Sequence, residues 1–142
     1  MDALDELFEA ARAARGRAYA PYSRFPVGAA IRAGSGAIYV GCNVENAASP
    51  VGVCAEASAI SAMVVAGESR IVDIAIVGRG DDTVTPCGAC RQRIHEFAEA
   101  GTRIHAAGAG GGRKNYTIAD LLPDAFGPGN LRAAGANTSE KL

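Results

Sequence analysis

The chain has 142 residues, 49% of them hydrophobic, which is enough for one domain with an ordinary buried core. Fourteen basic against fifteen acidic residues give a formal charge of −1. That balance lacks the basic surplus of a protein that grips phosphate backbones, so a small, uncharged or weakly charged molecule is the expected partner and nucleic acid is not.

In chain order, Leu4, Leu7, Phe8, Ala11 and Ala18 lie close to helical spacing and predict an amphipathic first helix ending near Tyr19-Ala20-Pro21. Val27 to Ala33 and Ala37 to Val44 read as strands of a hairpin turned by Gly34-Ser35-Gly36, so Asn43 and Glu45 leave a strand end. Cys54 opens a helical run through Ile60, Met63 and Val64 that Gly67 stops. Ile71 to Val77 reads as a buried strand, Cys87 to Ala98 as a second buried helix and Arg103 to Ala107 as another strand. Such alternation implies parallel strands joined by crossovers. The Gly108 to Gly112 stretch suits a hairpin into a fifth strand, Tyr116 to Ile118, antiparallel to the fourth. Ala119 to Phe126 is expected to form a short helix or turn, and residues 132–142 a frayed tail, leaving one domain over 1–131.

No stretch is long enough to cross a bilayer. The opening Met1-Asp2-Ala3-Leu4-Asp5-Glu6 is acidic rather than a secretory leader, and with four cysteines at metal-ligand spacing it points to reduced thiols and a cytoplasmic setting.

Chemistry concentrates in two segments, Cys54-Ala55-Glu56 and Pro86-Cys87-Gly88-Ala89-Cys90. Three thiols satisfy tetrahedral zinc except for one position, and an open position is where water becomes a nucleophile. Glu56, two residues beyond Cys54, can handle protons beside the metal without binding it. This is the pattern of zinc-dependent nucleobase deaminases in their three-cysteine form. A structural four-cysteine site using Cys42 is the alternative, though it lacks the second close pair of a zinc ribbon. Cys42 is otherwise expected to be a small buried residue. His95 and His105, without a partner motif, are read as structural.

Four ordered blocks extend the pattern: Tyr22-Ser23-Arg24-Phe25-Pro26-Val27-Gly28-Ala29-Ala30, Gly41-Cys42-Asn43-Val44-Glu45-Asn46-Ala47, Cys87-Gly88-Ala89-Cys90-Arg91-Gln92 and Leu121-Leu122-Pro123-Asp124-Ala125-Phe126-Gly127-Pro128. Together they resemble the cytidine deaminase family, in particular its small homotetrameric branch. The resemblance implies an α/β fold, a three-layer α-β-α sandwich with a five-stranded mixed sheet, in agreement with the element order above. It implies hydrolysis of cytidine or deoxycytidine to uridine or deoxyuridine and ammonia, with zinc on Cys54, Cys87 and Cys90 and Glu56 as base and then acid. By the same resemblance Phe25 lines the base pocket, Asn43 and Glu45 bind the ribose 3'-hydroxyl, and the Ala55 backbone orients the pyrimidine. Phe126 would enter a neighbouring subunit's pocket, making a homotetramer with shared active sites.

Two positions depart from that family pattern. Arginine commonly follows the glutamate, where this chain has Ala57, and tyrosine commonly precedes the proline, where it has Ser49. Without a cation at residue 57, Arg91 beside Cys90 is the expected source of charge tuning at the zinc. The departures leave open a deaminase of a modified or bulkier cytosine nucleoside, resembling the blasticidin-S deaminases. A noncatalytic zinc- or nucleoside-binding protein is the remaining alternative, and Glu56 argues against it.

Overall fold

A computed structural model describes residues 1–133 of the chain. The five strands are β1 (Gly28–Ala33), β2 (Ile38–Cys42), β3 (Ile71–Val77), β4 (Ala98–Ala107) and β5 (Arg113–Tyr116), and they form one sheet in the order β2-β1-β3-β4-β5. Only β3 and β4 run parallel; β1 pairs antiparallel with both β2 and β3, and β5 with β4. The parallel arrangement expected from the alternating elements is therefore confined to the one crossover made by a helix, α3 (Gly88–Phe97).

The other principal helices are α1 (Ala3–Arg15) and α2 (Ala55–Val65). Strand alternation divides the core in two. Leu7, Phe8 and Ala11 of α1 meet Ala30, Ala75, Val77 and Ala107 on one face of the sheet. On the opposite face, Ala59 and Met63 of α2 and Ile94 of α3 meet Ala29, Ile31, Ile74, Ile76 and Ile104. This is the anticipated three-layer sandwich. Each fully buried large apolar side chain contributes about 1.5–3 kcal/mol. Small residues on the first face let α1 approach closely: a Cβ on Gly28 would stand 2.0 Å from the Ala11 carbonyl oxygen.

Several boundaries differ from expectation. The first helix stops at Arg15 rather than near Tyr19, because Gly16 caps it and its amide returns to the Arg12 carbonyl. The fifth strand occupies Arg113–Tyr116 rather than 116–118. Thr117 and Asp120 form a reciprocal capping box that turns Ile118–Leu121 into the short helix α4. A further helix, α5 (Pro128–Ala133), takes in the first two residues of the expected tail, and residues 134–142 lie outside the described residues. Buried residues of α3 are Cys90 and Ile94, so it is a half-covered helix rather than a buried one. Cys42 is only partly buried. No helix among the described residues is long and apolar enough to cross a membrane.

Register determines where the functional segments meet. Gly28 pairs with Cys42 on one side and Val77 on the other. The chain entering β1 through Phe25 and Val27 and the chain leaving β2 through Asn43 therefore lie at the same end of the sheet, where β3 also finishes.

Candidate metal centre and adjoining cleft

Two helix starts deliver the thiols. Cys54 is the N-cap of α2 and Cys87 the N-cap of α3, both in extended backbone, while Cys90 lies in the first turn of α3. The three sulfurs lie within 4.8 Å of one another. Tetrahedral zinc, with bonds to sulfur of about 2.3 Å, spaces its thiolates about 3.8 Å apart, so closing this triad onto the ion takes about 1 Å or less. Three thiols without a hard oxygen donor also suit zinc by softness. Cys42 is not part of the group.

The thiols are unequal. Burial pushes Cys54 and Cys90 above the ordinary thiol range, and the neighbouring Glu56 carboxylate adds to the effect. Burial also acts to raise Cys87, but the Cys90 amide and the thiols of Cys90 and Cys54 outweigh it, so Cys87 ends below that range. The start of α3, through the Cys90 amide, favours thiolate at Cys87, the most exposed of the three. At the other two positions desolvation is larger, and a divalent cation must displace their protons.

Glu56 is 5% exposed and is the second residue of α2, in its first turn. Its carboxyl is raised by burial, and its own backbone amide, the nearby Cys90 thiol and the Arg93 charge offset that only in part. A carboxyl whose proton affinity is raised in this way, beside the three thiols, is suited to accept and return a proton.

A cavity of about 330 Å³ opens on the triad, lined by Phe25, Val27, Asn43, Ala55, Glu56 and Cys87, among others. A second, about 520 Å³, adjoins it through Ser23, Asn43 and Cys54 and is lined further on by Glu45, Asn46 and Ser49. Among the described residues, neither is lined by Lys or Arg. Asn43 and Glu45 thus face the cleft, and both also build it. The Asn43 side chain accepts from the Val27 amide and donates to the Phe25 carbonyl, each at 2.9 Å. Glu45 Oε1 accepts from the amides of Tyr22 and Ser23 at 2.9 and 3.1 Å, and the Ser23 hydroxyl, followed by these amides, holds its carboxyl below the ordinary value. Each keeps unused hydrogen-bonding capacity for a ligand. Phe126 is 62% exposed and lines neither cavity, so within one chain it is apart from the site.

Arg91 makes no hydrogen bond to the thiols. Its guanidinium donates to the carbonyls of Pro86 and Leu121 at 2.8 and 2.9 Å and to Thr85 Oγ1 at 3.3 Å, tying α4 to the loop before α3. The guanidinium that reaches a ligand sulfur is that of Arg93, with Nη1 3.5 Å from Cys90 Sγ. Helical geometry explains the difference: residue i+3 shares a face with residue i, and residue i+1 does not. That spacing was available in the sequence. Arg79 was not foreseeable from any local motif. Its guanidinium stacks 5.4 Å from the Phe25 ring centroid and donates to the carbonyl of Arg24, whose φ of 56° turns the chain into the pocket. His95 and His105 stay outside both cavities, and His105 Nε2 lies 2.8 Å from Asp73 on the neighbouring strand.

The family model for the cytidine and deoxycytidylate deaminase zinc-binding region matches residues 1–106. A cytidine deaminase of Sporosarcina psychrophila is 40% identical over 131 residues, covering 92% of this chain and 96% of its own. Among solved structures, a cytidine deaminase from Burkholderia pseudomallei is similar with a TM-score of 0.82 at 42% identity, over 86% of this chain and 98% of that one. One from Mycobacterium tuberculosis gives a TM-score of 0.76 at 35% identity, over 87% and 97%.

Proposed function

From a chain that belongs to the zinc-binding cytidine and deoxycytidylate deaminase family, we propose an aminohydrolase that converts cytidine, deoxycytidine or both to the corresponding uracil nucleoside and ammonia. The observation that carries this reading is a buried Glu56 beside three converging thiols at the floor of a cleft. Zinc held by Cys54, Cys87 and Cys90 supplies Lewis-acid activation of water at neutral pH.

The rest belongs to the chain's own residues. Glu56 takes a proton from the attacking water and delivers it to the ring nitrogen N3 as C4 is attacked. It then takes the remaining proton from the hydroxyl now on C4 and delivers it to the amine, so that the C4–N bond breaks, the C4 carbonyl forms and ammonia leaves. Desolvation keeps its carboxyl poised for both directions of transfer. Phe25 and Val27 enclose the base, the Ala55 backbone orients it, and Asn43 and Glu45 offer hydrogen bonds to the sugar hydroxyls. A cleft with an acidic Glu45 and no lining cation disfavours a substrate phosphate, so a nucleoside fits better than a nucleotide.

The assembled form is proposed to be a homotetramer. Tyr22, Val51 and Phe126, at 62%, 63% and 62% exposure, are apolar surface that a second copy would cover. A neighbouring subunit's Phe126 would then complete the cleft. All four cysteines are free, which suits a reducing, cytoplasmic setting.

Ammonia release by the zinc-loaded protein tests the reading on cytidine, deoxycytidine, cytosine, adenosine and base-modified cytidines. Turnover of cytidine or deoxycytidine is expected, and none of adenosine. Because Ser49 lines the wider cavity, exclusive turnover of the modified cytidines would instead select the bulkier-substrate reading. No ammonia from any of them would refute the proposal.

A further inference from the structure

Zinc and three thiolates sum to one net negative charge, and here that centre sits against the buried Glu56 carboxylate. An uncompensated charge of this kind weakens metal retention, so a cation beside the thiolates matters. Position 57, the next residue of α2, offers only the methyl group of Ala57. Arg91 is committed to two backbone carbonyls and Thr85 and donates to none of the sulfurs.

Arg93 has no such commitment. Its hydrogen bond among the described residues is the one to Cys90 Sγ, at 3.5 Å, although the residue is otherwise exposed and free to extend into water. An exposed arginine loses side-chain entropy when it lies against a buried cysteine, and a thiol is a weak acceptor. The contact gains most when the sulfur carries charge, since a hydrogen bond to an ionised partner is about twice as strong as a neutral one. No other Lys or Arg among the described residues donates to a ligand sulfur.

We infer that Arg93 is a positioning residue for the metal, its guanidinium neutralising thiolate charge at Cys90 from α3 and so compensating for the apolar Ala57 on α2. The inference rests on the zinc-aminohydrolase reading and adds a residue to it. It assigns Arg93 to zinc retention and no contact with the nucleoside.

The test is the rate at which zinc-loaded protein gives up its ion to excess chromophoric chelator, measured for the wild type, Arg93→Gln and Arg93→Lys. Unfolding of each metal-free protein is followed in parallel. Arg93→Gln is expected to release zinc about 10- to 100-fold faster, the usual cost of losing a partner of a metal ligand. Arg93→Lys, which keeps the charge, should recover most of the difference. The metal-free proteins should unfold together, because the exposed side chain supports nothing else. Wild-type release kinetics in Arg93→Gln would overturn the inference, as would faster release matched by an equal destabilisation of the metal-free protein. A wild-type chain that binds no zinc would overturn the underlying reading as well, which separates the two failures.

Discussion

Gly41→Ala is expected to damage the site from underneath. Gly41 lies in β2 opposite Ala29 of β1 and is buried against α2. A Cβ there would stand 2.4 Å from the Ala59 amide nitrogen, 2.5 Å from the Ala55 carbonyl oxygen and 2.8 Å from Ser58 Cβ. Two of the three are backbone atoms that cannot swing aside. Ordinary contact begins near 3.4 Å, so α2 has to retreat by roughly 1 Å, an overpacking strain of about 1–3 kcal/mol. For a chain of this size the midpoint of thermal unfolding should fall by roughly 3–10 °C. Because Cys54 and Glu56 ride on the displaced turn, turnover should also fall, by about 10²-fold for a misplacement of that size. Thermal unfolding by circular dichroism and ammonia release from cytidine measure the two effects. Gly101→Ala is the control, since nothing lies within 4 Å of its added Cβ. A Gly41→Ala protein that melts and turns over like the wild type would refute the seating of α2 on β2 described above.

Cys87→Ala should lose zinc and activity together, while Cys42→Ala, outside the triad, should keep about one zinc per chain in metal analysis. Stability should depend on pH through Glu68, which accepts from Tyr39 Oη, Ser35 Oγ and the Ser35 amide at 2.7, 2.8 and 2.9 Å. These bonds, led by the Tyr39 hydroxyl, hold its carboxyl below the ordinary 4.5. A depressed carboxyl stabilises above its unfolded value and loses that contribution as the pH falls through its folded value. Glu68→Gln should therefore melt below the wild type at pH 7, and the gap should close as the pH is lowered past 4.5. A gap that persists unchanged at acid pH would contradict the assignment.

Legibility in the sequence followed the range of the forces involved. The buried strand Ile71–Val77 was readable to the residue because a mostly apolar run between Arg70 and Gly78 carries its own boundaries. The strand expected at Tyr116 to Ile118 was misplaced because Ile118 is apolar in either element, and the Thr117–Asp120 capping box decides the outcome. At the site, the three cysteines and Glu56 were legible because two short motifs carry all four and helix N-caps place them. Arg91 was chosen by adjacency in sequence, which on a helix points it about a quarter-turn away from Cys90, whereas Arg93 returns to the same face. The stacking of Arg79 on Phe25 joins residues far apart in the chain and could come only from the folded sheet.

The most direct measurement of the central claim is the turnover of zinc-loaded Glu56→Gln. The amide keeps the size and polarity of the carboxylate but cannot accept a proton from water. With metal content and thermal unfolding matched to the wild type, ammonia release from cytidine should fall by about 10²- to 10⁴-fold, the range for losing general acid–base catalysis. Near-wild-type turnover by a zinc-replete, folded Glu56→Gln protein would contradict the account.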